Sequence, residues 1–206
     1  TALIKTLLYR YSGQEDIIIG TPITMRSHHQ LENQIGLYIN LLALRDHINE
    51  TDSFTDVLAK VKESCTASFE HKIYPFDKLV GELVLDRDLS RSPVFDVVVV
   101  LHIRERDEQP ALLNLKASPI TFENPTSKYD LTFSFTADSE SMELEIEYNS
   151  DLFKEATIQR LINHFNTLAE SAIDNPLKNI SSLNILSEDE RKLILHDFNS
   201  NTQPFP

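Results

Sequence analysis

The sequence predicts an α/β chain, a β-sheet flanked by helices, and three observations carry that prediction. Ile17-Ile18-Ile19 and Val97-Val98-Val99-Val100 are apolar on both faces, as strands inside a covered sheet require. Residues 53–71 and 154–173 instead repeat apolar side chains at threes and fours, so each is a helix with one face to dock. Leu131-Thr-Phe-Ser-Phe135 and Met142-Glu-Leu-Glu-Ile-Glu-Tyr148 alternate, which is the period of a half-buried strand.

Taken in order, residues 1–11 read as a helix ending near Gly13, and residues 16–24 as a buried strand that Pro22 helps to end. Ala2, Leu3, Leu7 and Leu8 carry a helical pattern with no cap before them, which reads as a cut made in a longer polypeptide. A turn-rich stretch, 26–34, leads into an apolar segment at 37–48 that is read as strand. In the helix at 53–71, Phe54, Val57, Leu58, Val61, Cys65 and Phe69 form the apolar stripe, and Ser53 with Asp56 resembles a capping box. A short helix at 76–84 and a strand at 95–102 follow, the latter central because four β-branched residues run together. Residues 103–110 are charged and read as an exposed excursion, with strands next at 112–122, 129–137 and 142–149. The last two make a hairpin around Asp138 to Ser141, with Glu143, Glu145 and Glu147 on its solvent face. The helix at 154–173 buries Ile158, Leu161, Ile162, Phe165, Leu168, Ala169 and Ala172, and Asp174-Asn175-Pro176 stops it. Ser187 to Glu190 is a capping box opening a short helix to Phe198, after which the composition is that of a linker.

Composition removes several functions. A chain of 206 residues with 41% hydrophobic content can bury one substantial core. Its formal charge of -13, from 19 Lys+Arg against 32 Asp+Glu with the basic residues scattered, argues against a nucleic-acid partner. A single cysteine permits no intramolecular disulfide and makes the cytoplasm the natural compartment. The longest apolar run, near residues 97–101, falls far short of the ~20 residues that span a bilayer, so no membrane partner is expected.

Chemistry-bearing motifs are equally sparse. His47, His71, His102, His164 and His196 lack metal-ligand spacing and have no cysteine cluster beside them, so no metal is expected. There is no Gly-x-Ser-x-Gly elbow, and four glycines at 13, 20, 36 and 81 build no phosphate loop. Cys65 lies on an apolar helix face and reads as core rather than as a nucleophile.

Three segments remain, in fixed order: Ile35-Gly-Leu-Tyr-Ile-Asn-Leu-Leu-Ala-Leu-Arg45, Tyr74-Pro-Phe-Asp-Lys-Leu-Val80 and Arg87-Asp-Leu-Ser-Arg-Ser-Pro93. Together they resemble the later core motifs of the condensation domains of nonribosomal peptide synthetases, which join two carrier-bound building blocks by an amide bond. The resemblance implies the C-terminal lobe of a chloramphenicol-acetyltransferase-like (CoA-dependent acyltransferase) fold, a mixed β-sheet flanked by helices, over residues 1–180. Leu183 to Arg191 and Asp197 to Pro206 look like the linker that joins such a domain to an adenylation domain, so residues 181–206 are assigned to it.

The family's acid-base signature, His-His-x-x-x-Asp-Gly, lies in the other half of the domain. His28-His29 does not replace it, because Asn33-Gln34 stands where Asp-Gly is needed; both histidines read as loop residues. This chain therefore reads as half of the enzyme, with no catalytic residue of its own and inactive alone. The implied partners are the N-terminal lobe, the upstream and downstream peptidyl carrier proteins and the adenylation domain. No cofactor is bound directly, since the substrates arrive on the carriers' phosphopantetheine arms.

As tunnel-wall or lobe-bridging support the resemblance points to Tyr38, Asn40, Arg87 and Arg91. A buried amide at Asn40 must find partners, either backbone groups or the substrate arm. One arginine of this half would pair with the aspartate of the missing signature; Arg87 and Arg91 are the first candidates, with Arg26 and Arg45 also open. Tyr74-Pro75-Phe76 reads as a loop-to-helix turn set by Pro75. The sequence departs from the family pattern at Leu41, Asp77, Ser92 and His71-Lys72-Ile73. Epimerization and heterocyclization domains share the fold, and from a different class a catalytically silent carrier-docking module also fits.

Overall fold

A computed structural model describes residues 1–83, 91–104, 120 and 126–200 of the chain. The elements run α1 (Ala2–Ser12), β1 (Asp16–Thr24), β2 (Ile39–His47), α2 (Phe54–Glu70), α3 (Phe76–Leu83), β3 (Val97–Ile103), β4 (Leu131–Ala137), β5 (Met142–Tyr148), α4 (Glu155–Asp174) and α5 (Glu188–Lys192). One mixed sheet has the order β2-β1-β3-β4-β5. β1, β3 and β4 are parallel neighbours, with Gly20 opposite Val98 and Val97 opposite Leu131, and β4 and β5 are antiparallel. The expected strand at 112–122 and Arg87 lie outside the described residues.

The chain divides into two compact units. The first comprises Thr1–Ile17, Arg45–Thr66 and Lys154–Pro206; the second comprises Ile18–Leu44 and Ala67–Phe153.

The first unit is helical. α1 ends in a left-handed Gly13 (φ 68°) whose N–H donates to the carbonyl of Tyr9, a conformation that costs glycine nothing. α2 opens on a reciprocal capping box: Ser53 Oγ accepts from the Asp56 N–H at 3.2 Å, and the Asp56 carboxylate accepts from the Ser53 N–H at 2.9 Å. α4 buries Ile158, Leu161, Phe165, Leu168 and Ala172, as its period requires. The α2 stripe is narrower than its sequence implies: Val57 and Val61 are buried, whereas Leu58 and Phe69 are 51% and 45% exposed. Lys5 is completely buried and paired with Asp46.

In the second unit the β-branched run behaves as expected over half its length. Val98 and Val99 are both buried, so β3 is covered on both faces there, but Leu101 and Ile103 are exposed. β3 is the middle strand of the five. The hairpin closes with the Asp138 N–H donating to the Ser141 carbonyl, and Glu143, Glu145 and Glu147 of β5 face solvent. Gly20 is required by packing, since a Cβ there would sit 2.1 Å from the ring of the buried Phe95.

Candidate functional site

All three motif segments contribute to one cavity of the second unit, about 410 Å³, lined by Leu41 of the first, Phe76 of the second, and Arg91, Ser92 and Pro93 of the third. Its remaining wall comes from Ser127 to Asp130, ahead of β4, and from Asn149, after β5. No spacing in the sequence brings these pieces together; the sheet does.

Asn40 is the joint between the first two motifs. Its place in β2 puts it with Leu42 and Leu44 on the buried side, and it is 8% exposed. The amide nitrogen donates to the carbonyls of Lys72 at 2.8 Å and Tyr74 at 2.7 Å, and the amide oxygen accepts from the Phe76 N–H at 3.1 Å. Thus one side chain satisfies three backbone groups of the turn that starts α3, the last of them the first N–H of that helix. Of the two roles open to Asn40, backbone anchoring is the one its hydrogen bonds serve.

Phe76 then meets Phe95, with ring centroids 5.3 Å apart, and Phe95 meets Tyr129 at 5.8 Å. This aromatic row backs the cavity. Arg91 forms an ion pair with Asp96, whose carbonyl accepts from the N–H groups of Asp130 and Leu131. Burial, and secondarily the Asp96 carboxylate, raises the Asp130 carboxyl above the usual aspartate range, an effect Arg91 partly offsets.

Tyr38 is placed elsewhere. Its hydroxyl donates to Gln34 Oε1 at 2.7 Å, and the Arg26 guanidinium lies 4.3 Å over its ring. Arg26 also donates to the carbonyls of Leu31 and Gln34, so it organises the loop ahead of β2. In the first unit Arg45 is held by Asp16 in a two-nitrogen fork, at 2.9 and 2.6 Å. His28 and His29 are exposed, and His28 Nδ1 accepts from the Gln30 N–H to cap a single 3₁₀ turn.

A second cavity of the same unit, about 490 Å³ and mainly apolar, is lined by Leu41, Leu42 and Ala43 with Ala67, Ser68, His71, Tyr74 and Leu79. Ile35, Leu37 and Ile39, the start of the first motif, are 104%, 89% and 61% exposed. Among the described residues no group of histidine, cysteine and carboxylate side chains could hold a metal, and no helix is long and apolar enough to cross a membrane.

Sequence reasoning missed Asp96, Asp130 and Asn149, which look like ordinary residues flanking strands. It also missed the Lys5–Asp46 pair, for which a signal existed: period two places Asp46 with Leu42 and Leu44 on the buried face, where a carboxylate needs a cation.

The family model described as "Condensation domain" matches residues 1–195. Gramicidin S synthase 2 of Brevibacillus brevis is 38% identical over 205 residues, covering 100% of this chain and 5% of that protein. Surfactin synthase subunit 1 of Bacillus subtilis (strain 168) is 37% identical, covering 98% of this chain and 6% of the relative. Among solved structures, the X-domain in complex with OxyB from teicoplanin biosynthesis superimposes with a TM-score of 0.80 at 28% identity, over 91% of this chain and 42% of that one. The first condensation domain of the CDA synthetase, at 20% identity, gives 0.71 over 90% of this chain and 41% of its own, a likeness of fold. The chain thus spans about a twentieth of these relatives and well under half of the solved chains it matches.

Proposed function

The chain belongs to the condensation-domain family of nonribosomal peptide synthetases, and on that premise we propose that it is the C-terminal half of a condensation domain that makes an amide bond between two carrier-bound thioesters. In that reaction the amine of the acceptor aminoacyl group attacks the thioester carbonyl of the donor. The C–N bond forms as the C–S bond breaks, the donor carrier's thiol leaves, and the amine gives up a proton. Holding both tethered substrates together supplies much of the acceleration, and a histidine of the absent signature positions or deprotonates the amine. The share of this chain is one wall of the tunnel between the lobes.

The observation that carries this reading is the convergence of Leu41, Phe76 and Arg91-Ser92-Pro93 on a single cavity. Residues 35–39 supply a second support, because a contiguous apolar segment exposed to this extent calls for a cover, here the N-terminal lobe. Within the proposal, residues 1–180 form the lobe and 181–206 lead toward an adenylation domain. Carrier proteins on both sides bring the phosphopantetheine arms, and the single cysteine suits the cytoplasm. Arg91 pairs with Asp96, Arg45 with Asp16 and Arg26 with loop carbonyls, and the arginine that meets the aspartate of the absent signature is one of these three or Arg87.

A second reading, a silent module that only receives another protein, has one observation in its favour: the 28%-identical X-domain was solved in complex with OxyB. Two loaded carrier proteins distinguish the readings. This chain alone yields no amide product, and the chain joined to its N-terminal half does. Product from this chain alone overturns the half-enzyme reading; normal carrier binding without product from the joined halves establishes the silent module.

A further inference from the structure

In the first unit, a polar chain joins the helical tail to α4 and α1. α5 continues as a π-helix over Leu193–Asp197, and every residue from Arg191 to Ser200 is exposed, including Leu193, Ile194, Leu195 and Phe198 at 39–68%. A cavity of about 420 Å³ remains between the tail residues Arg191, Ile194 and Leu195 and the segment 181–186 with Arg10. The tail's apolar side chains are thus partly covered, Leu193 and Ile194 by more than half, but none of them is buried as on a fully docked helix. Glu190 is the polar residue of this tail that is drawn in, being less exposed than its neighbours in α5.

Glu190 Oε2 lies 2.7 Å from Nε2 of His164, which is 8% exposed on α4, and Nδ1 of the same ring lies 2.5 Å from the hydroxyl of Tyr11 on α1. A neutral imidazole satisfies both contacts at once: Tyr11 O–H donates to Nδ1, and Nε2–H donates to the Glu190 carboxylate. Burial, followed by the Glu190 charge, raises the Tyr11 hydroxyl pKa and keeps that proton in place to be donated, against a smaller opposing effect of Arg160.

We infer that the Tyr11–His164–Glu190 chain is a detachable pin, which docks the helix of residues 187–198 on the α1–α4 pair and whose opening frees that helix as a strap without unfolding the unit beneath it. A helix of this length has little stability of its own, so the pin decides whether it persists. When the pin opens, the tail stays tethered through residues 184–187, and its partly covered apolar side chains swing out with it.

Amide hydrogen exchange on the 206-residue chain tests this, read at residues 187–198 with the amides of α2 as internal control. His164→Leu removes both contacts without adding polarity, and exchange in the tail rises about tenfold or more, the worth of one charge-assisted hydrogen bond. His164→Gln, whose amide can donate toward Glu190 and accept from Tyr11, restores most of the protection. Glu190→Ala matches His164→Leu, and the double variant is no worse than either single one. Because Glu190 lies on the tail, its variant keeps the test decisive even where His164→Leu also speeds exchange in α2. Unchanged tail exchange in Glu190→Ala, or additive effects in the double variant, overturns the pin and assigns docking to Ile194 and Leu195.

Discussion

Replacing Asn40 tests whether one amide organises the turn on which the second motif stands. Asn40→Ala deletes hydrogen bonds to two carbonyls and one N–H, at 2.8, 2.7 and 3.1 Å, in a side chain that is 8% exposed. At about 1 kcal/mol net for each bond the cost is about 3 kcal/mol. With a urea slope of about 2 kcal/mol per molar, the unfolding midpoint falls by about 1.5 M. Asn40→Asp is nearly isosteric and retains the acceptor for the Phe76 N–H, yet it turns a carboxylate oxygen toward the carbonyls of Lys72 and Tyr74. At neutral pH it is therefore worse than Ala. Burial against two carbonyls favours the neutral acid, so at pH 4 a protonated carboxyl regains one donor, and the deficit narrows. Urea titrations followed by circular dichroism at pH 7 and pH 4 check both statements. If Asn40→Asp equals the wild type at pH 7, or Asn40→Ala costs less than about 1 kcal/mol, the amide is not the joint described here.

Three more outcomes follow from the same geometry. Gly20→Ala pushes a methyl group to 2.1 Å from the Phe95 ring and lowers stability by about 2 kcal/mol, whereas adding Phe95→Leu recovers more than half; a neutral Gly20→Ala in thermal denaturation contradicts the close approach. The Ser53 hydroxyl, and then the Ser53 N–H, hold the Asp56 carboxyl below 3.8, so its stabilisation of α2 is present above that value and is lost as pH falls through the depressed one. The melting-temperature gap between wild type and Asp56→Ala accordingly stays constant from pH 7 to about pH 5 and closes in stronger acid, and a gap that persists there refutes the capping box. Cys65, expected in the core, is only half-buried, yet burial still raises its thiol above the usual value; native protein at pH 7 is alkylated more slowly than urea-unfolded protein, with equal rates counting against that shielding.

Particular elements show where legibility in the sequence stopped. β1, β4, β5, α2 and α4 fall within one or two residues of their expected places, because period and capping are local properties. The first motif illustrates the limit. An apolar segment was expected to be strand from residue 37, yet β2 begins at Ile39 and leaves Ile35 and Leu37 outside it and exposed. Hydropathy reports that a side chain is apolar and is silent about whether anything covers it. For the same reason Leu58 and Phe69 read as core but are half exposed, and Lys5 is wholly buried on account of a carboxylate forty-one positions away.

By itself, the sequence determined the order and type of the main elements among the described residues, the absence of the His-His-x-x-x-Asp-Gly signature from these 206 residues, and the likeness to condensation domains, since each is written in contiguous residues. Tertiary structure alone decided that β1, β3 and β4 run parallel, that Asn40 spends its amide on the backbone of residues 72–76, that Asp130 and Asn149 join the three-motif cavity, and that His164 lies between Tyr11 and Glu190. The physical reason is common to all four. A buried polar group must find its partner wherever the fold places one, and strand pairing brings together residues whose separation along the chain follows no period.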